Sequence, residues 1–234
     1  MIFALEWRIA LRARRLFLLN AGIPLLLVAP LALGGAPDVH AAVVYTVLFA
    51  FFGTFGSAIP LVRDVDSGLF GRIVRTGLPT RRVLAERLAA HTLLDVLQLL
   101  PGLVLILAAA GTGAGAALRT LLAALAVLLA ANTLGIWVAS AGRSIAEAAL
   151  FATILSLFGL HLGGVFRAPA GGVLAGIAHV LPFGHLHAAM REALGIGGAE
   201  ASIGVALAGA LVASGATVAL AEPLVRRLTR HTAR

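Results

Sequence analysis

His91 and Asp95 stand one helical turn apart inside an apolar run. An imidazole beside a carboxylate is the pairing used for proton transfer, and charged groups inside membrane spans are functional candidates by default. Arg143 and Glu147 repeat the spacing. Both pairs are expected near the arginine-flanked ends of their runs, where a structural ion pair is the plainer reading. Gln98, Asn132 and Thr153 are polar mid-run residues, but they form no chain of acids, which weighs against a proton-driven mechanism. An intramembrane serine protease needs Ser and His at one depth. Ser140 and His161 fall towards opposite ends of their runs and Ser214 has no His beside it, which argues against that chemistry. His179, His185 and His187 cluster, and imidazoles can hold a metal, but no carboxylate spacing defines a site and none is assigned. GTGAG (111–115) has the glycines of a phosphate-cradling loop without its lysine. All 18 basic residues are arginine, so this chain is expected not to hydrolyse ATP and to bind no cofactor itself. With no cysteine, disulfides and thiolate metal sites are excluded.

The elements carrying these residues are set by hydropathy. Of 234 residues, 60% are hydrophobic, and mean hydropathy is +1.02. A soluble domain has roughly 45–50% apolar residues, and a membrane-spanning helix takes about 20. Six apolar runs are expected as spans: about 17–33, 41–61, 89–110, 118–141, 146–166 and 202–224. The expected fold is all-α integral membrane, a single transmembrane domain over 1–234. Residues 1–16 place Ile2, Leu5, Ile9, Ala13 and Leu16 on one helical face, with Arg8, Arg12 and Arg15 on a neighbouring stripe. That pattern predicts an interfacial amphipathic helix. Residues 225–234 form a basic tail. With an even number of spans and the N-terminus inside, most arginines fall on the cytoplasmic side and only Arg119, Arg167 and Arg191 outside. This asymmetry places both termini in the cytoplasm. The formal charge of +8 lies in blocks flanking the spans, without interleaved aromatics, so nucleic acid is not an expected partner.

The stretch 62–88, VRDVDSGLFGRIVRTGLPTRRVLAERL, separates the second and third spans. Ser67 can cap a short helix over about 68–76, with Asp64 and Asp66 favouring its dipole. Gly77 is a natural stop, Pro79 lies just beyond, and Thr80 can cap the next helix. Leu69, Phe70, Ile73 and Val74 give the short helix an apolar surface, while Arg72 and Arg75 point elsewhere. Such a helix could rest on lipid, pack under its own bundle, or dock into a partner. Gly53, Gly56 and Ser57, and likewise Gly204, Ala208, Gly209, Ala213 and Gly215, make small-residue faces suited to close helix packing. These faces could pack within one subunit or between subunits.

RDVDSGLFGRIVRTGLPTRR resembles the first cytoplasmic loop of type-2 ABC transporter permeases: an acidic pair, Ser-Gly, a short amphipathic helix, a Pro-containing turn and a basic residue. It departs at Leu69 and Gly71, where the family usually has Thr and Glu, and Pro79 lies two places late. GGVFRAP (163–169) and LPFGHLHAAMREAL (181–194) are similar to that family's region between the fifth and sixth spans. The resemblance implies a coupling helix, with Ser67, Gly68, Leu69, Phe70, Arg72, Ile73 and Arg75 facing an ATP-binding subunit that holds the ATP and Mg. It also implies an outer re-entrant segment over 167–200, including Pro169, Pro182, Phe183, Arg191 and Glu192. The function implied is the permease subunit of an ATP-driven exporter in a bacterial plasma membrane. It would pair with a second copy or a related permease. A drug-like amphiphile, a lipid or a peptide suits a chain with one Tyr and two Trp better than a sugar polymer. The rival readings are a secondary transporter or other stand-alone bundle, and the membrane subunit of a haem-exporter-like complex.

Overall fold

A computed structural model describes residues 2–34, 37–168, 171–197 and 201–230. The described residues form eleven helices and no strand. They are α1 (Ile2–Arg12), α2 (Arg14–Leu33), α3 (Asp38–Asp66), α4 (Leu69–Arg75), α5 (Thr80–Ala109), α6 (Ala114–Ala141), α7 (Ile145–Leu162), α8 (Gly172–Val180), α9 (Pro182–Ala193), α10 (Ile203–Ala219) and α11 (Ala221–Arg230). Helices α2, α3, α5, α6 and α7 are each long and apolar enough to cross a membrane. Two further pairs qualify only as bent units: α8 with α9, at 75°, and α10 with α11, at 64°. The six apolar runs of the sequence fall on α2, α3, α5, α6, α7 and α10.

Hydropathy alone underestimates α3 and α5. Their 29 and 30 residues make rods of about 45 Å at the α-helical rise, against a hydrocarbon core of about 30 Å. The charged stretch 62–88 is therefore mostly the ends of two long helices. They continue past their apolar runs because Val65, Val83 and Leu84 are buried there beside the charges.

Two main apolar clusters fill the bundle. One, at the end bearing α4, gathers Ile2, Val65, Phe70, Leu84, Leu224 and Leu228. The other gathers Tyr45, Phe49, Leu103, Leu128, Phe183 and Met190 towards α9. Tyr45 packs against Phe49 with ring centroids 4.9 Å apart, and its hydroxyl donates to the Leu99 carbonyl. The small residues of α3 meet α6. A Cβ on Gly135 would lie 2.4 Å from the Thr54 carbonyl oxygen, and one on Gly53 would lie 2.7 Å from the Ala131 Cβ. That face packs within the chain. On α10, Gly209 approaches the Val180 carbonyl, whereas Gly204 and Gly215 have nothing within 4 Å of an added Cβ.

Candidate functional site: the α4 surface and the polar network beneath it

Helix α4 is held between the ends of α3 and α5 by its own aromatic anchor. Gly68 adopts a left-handed backbone, φ 71°, and turns the chain out of α3. Ser67 does not cap α4 as the sequence suggested. Its hydroxyl donates back to the Asp64 carbonyl at 3.2 Å, because Gly68 occupies the capping position. Gly77, φ 79°, ends the turn after α4 as expected. Thr80 is the first residue of α5 rather than its cap; Pro79 holds the cap position, with no side-chain bond. The apolar side of α4 faces inward. Phe70 is fully buried, and Ile73 and Val74 pack on the same cluster. Of the alternatives open for this helix, packing under its own bundle describes Phe70. Leu69 is half-buried, and the exposed side chains of α4 are Arg72 and Arg75.

Behind α4 lies an ion cluster joining three helices. Arg87 of α5 is 3% exposed, and its guanidinium donates to the Asp64 carboxylate of α3 at 2.5 Å. Glu6 of α1 sits 3.5 Å from Arg87 Nε and 3.5 Å from His91 Nε2. These are ion-pair distances, too long for good hydrogen bonds, so α1 is attached more loosely than α3. Burial pushes the Glu6 carboxyl up, but His91 and the positive charges of Arg87 and Arg63 outweigh it and hold it below the ordinary value. The Phe3 N–H donates to Glu86 at 3.2 Å, a second tie from α1 to α5. The inward face of α1 is therefore Ile2, Glu6 and Trp7, while Leu5 and Ile9 stand exposed with Arg8, Arg12 and Arg15. An apolar-face count overlooks Glu6. The only acid ahead of the first apolar run was its sequence signal.

His91 and Asp95 do not pair. His91 Nδ1 meets the Gly56 carbonyl at 2.6 Å and its other nitrogen turns to Glu6. Asp95 accepts from Asn132 Nδ2 at 2.8 Å, and Asn132 Oδ1 accepts from the Ser57 hydroxyl. Sharing a helix face did not make them partners, because each side chain reaches a different neighbouring helix. Asp95 stands midway along α5, where Asn132 of α6 meets it. Arg143 and Glu147 do not pair through their side chains either. Glu147 accepts from the Arg143 N–H at 2.7 Å while the Ser144 hydroxyl accepts from the Glu147 N–H at 3.1 Å, so Ser144 caps α7 and the carboxylate reaches one residue further back than in a capping box.

At the far end, Pro182 opens α9. Phe183 packs within about 3.1 Å of where a Cβ on Gly159 or Gly163 would stand. Glu192 pairs with Arg119 of α6, and Arg191 Nε donates to the Gly197 carbonyl at 3.1 Å. Pro169 lies outside the described residues. His185 spends both ring nitrogens on backbone, one on the His179 carbonyl at 2.7 Å and one on the Ser202 N–H at 3.2 Å. Among the described residues no group of His, Asp or Glu is arranged to hold a metal.

Residues 3–194, from α1 through α9, match the family model described as ABC-2 type transporter. The chain belongs to the ABC-2 type transporter family. No curated protein matches it. This ABC-2 protein is an integral membrane permease component, and the family match begins in α1 and spans both α4 and the bent α8–α9 pair. The remaining helices, α10 and α11, follow the matched region and complete the bundle against α6 and α9.

Proposed function

We propose that this chain is the membrane-spanning subunit of an ATP-driven exporter of the bacterial plasma membrane, with α4 as the element that couples it to a separate ATP-binding subunit. The observation that carries the reading is the setting of α4. A short helix with a fully buried Phe70 connects two long helices, and it presents Arg72 and Arg75 outward. A push on α4 then passes through Phe70 and the Asp64–Arg87 pair into α3 and α5, because packed cores transmit strain rather than absorb it. Two such chains, or one with a related permease, would flank the substrate path, and α8–α9 would close it from outside. Both termini and α4 would face the cytoplasm, as the arginine asymmetry favours. The substrate class that suits the bundle is a drug-like amphiphile, a lipid or a peptide. Nucleotide and Mg would be held by the partner, as expected of a chain without lysine.

Co-expression with an ATP-binding subunit from an adjacent gene tests this. The two should co-purify and hydrolyse ATP together, while the isolated chain shows no turnover above background. Robust ATP turnover by the isolated chain, or no association with that subunit, would overturn the proposal.

A further inference from the structure

A cavity of about 450 Å³ lies between α2, α3 and α5, in the half of the bundle nearer α4. That volume falls in the range of small-molecule sites, roughly 300–1,000 Å³. Phe51, Phe52 and Phe55 line one side, and Asp95 and Gln98 line the other. The Phe51 and Phe55 rings lie nearly parallel, 13° apart with centroids at 5.9 Å. Asp95 is 5% exposed and Gln98 7%. One oxygen of Asp95 accepts from Asn132. Its other oxygen and the Gln98 amide have no hydrogen-bond partner among the described residues. Gly56 makes room for the carboxylate, since a Cβ there would stand 2.8 and 2.9 Å from its two oxygens.

A buried carboxylate is costly in a low-dielectric setting unless a cation or proton answers it. A hard metal ion wants a shell of six or more oxygens, and one carboxylate with one amide does not supply it. Three phenyl rings do supply what an organic cation wants: apolar area, and ring faces that attract positive charge. We infer that the α2–α3–α5 cavity binds a monovalent organic cation with an apolar body, its charge against Asp95 and its body against Phe51, Phe52 and Phe55. The binding claim stands on the cavity. Its assignment as a transport substrate rests on the exporter reading.

The test is equilibrium dialysis of radiolabelled tetraphenylphosphonium against the full-length chain in a non-ionic detergent, without the ATP-binding subunit. Binding should saturate, should be displaced by other lipophilic monocations, and should not be displaced by neutral triphenylphosphine oxide. Asp95→Asn keeps the shape and the Asn132 bond and removes the charge. It should weaken binding about thirtyfold or more, the scale of losing one partner of a buried charge pair. Phe55→Ala should weaken it a few-fold. If Asp95→Asn fails to elute as a monodisperse species, the Phe51→Ala/Phe55→Ala variant decides, with the same expected loss of affinity. Non-saturable uptake, equal competition by the neutral oxide, or unchanged affinity in the folded variants would overturn the inference. None of those results touches the ATPase partnership, which the assay omits, and failure of that partnership leaves this binding measurement standing.

Discussion

Replacing Phe70 by alanine removes the one fully buried aromatic that pins α4. The side chain is 0% exposed, so the change loses its full burial and leaves a cavity, about 3–5 kcal/mol for Phe→Ala in a core. Helix α4 has only seven residues, and so short a helix is unstable without packing. The lost energy should therefore appear as detachment of α4 rather than as general unfolding. At a factor of ten per 1.4 kcal/mol, the detached population should rise by roughly two to three and a half orders of magnitude. Hydrogen–deuterium exchange reads this directly at amides such as Arg72, bonded to the Gly68 carbonyl at 3.1 Å. Peptides over 69–76 should exchange faster by about that factor, while α6 stays protected. Phe70→Leu should recover most of the protection. Unchanged exchange over 69–76 in Phe70→Ala would refute the anchoring argument.

Glu6 has its folded carboxyl held below the ordinary value of 4.5. The sign follows: its contribution to holding α1 is complete above that value and is lost as the pH falls through the lower, folded one. Protection of the α1 amides, taken relative to the intrinsic exchange rate at each pH, should fall below about pH 4.5, and Glu6→Gln should remove that pH dependence; pH-independent protection in the wild type would contradict it. Gly135→Ala should lower the thermal midpoint in detergent, at a cost of about 1–3 kcal/mol from overpacking, since its Cβ would meet the Thr54 carbonyl at 2.4 Å. Gly215→Ala, with open space around it, should leave the midpoint unchanged or slightly raised. Single cysteines at Ser67 and Arg227 should be labelled only from the cytoplasmic side and one at Asp38 only from outside; labelling of Ser67 in intact cells by an impermeant reagent would reverse the topology.

The helical class and the positions of the apolar runs could be read directly, because a membrane span writes its whole length as hydropathy. Gly77 was visible as sequence punctuation, whereas Gly68, expected inside the short helix, is the left-handed residue that precedes it. What composition could not show was which side of an amphipathic helix wins its own core. Phe70 and Ile73 had the look of a docking face and Arg72 and Arg75 of a rim, but the cluster of Val65, Val83 and Leu84 claims Phe70 first. Pairings also escaped local spacing. His91–Asp95 and Arg143–Glu147 both have one-turn spacing, yet Arg143 stands before α7 begins, and three of these four side chains bond across helices or to backbone. Arg87 looked like one more arginine in a basic block, and only the approach of α1 and α3 makes it the centre of a buried ion cluster.

The central claim, that α4 presents its arginines to an ATP-binding subunit while its apolar side belongs to the bundle, is tested most directly by reversing those charges. Arg72→Glu/Arg75→Glu changes exposed side chains only, so the membrane bundle should insert and elute as the wild type does. Co-purification of the co-expressed ATP-binding subunit with this variant is the measurement. The account predicts that the subunit is lost from the double variant while remaining bound to the wild type. Undiminished co-purification with the charge-reversed chain would contradict it.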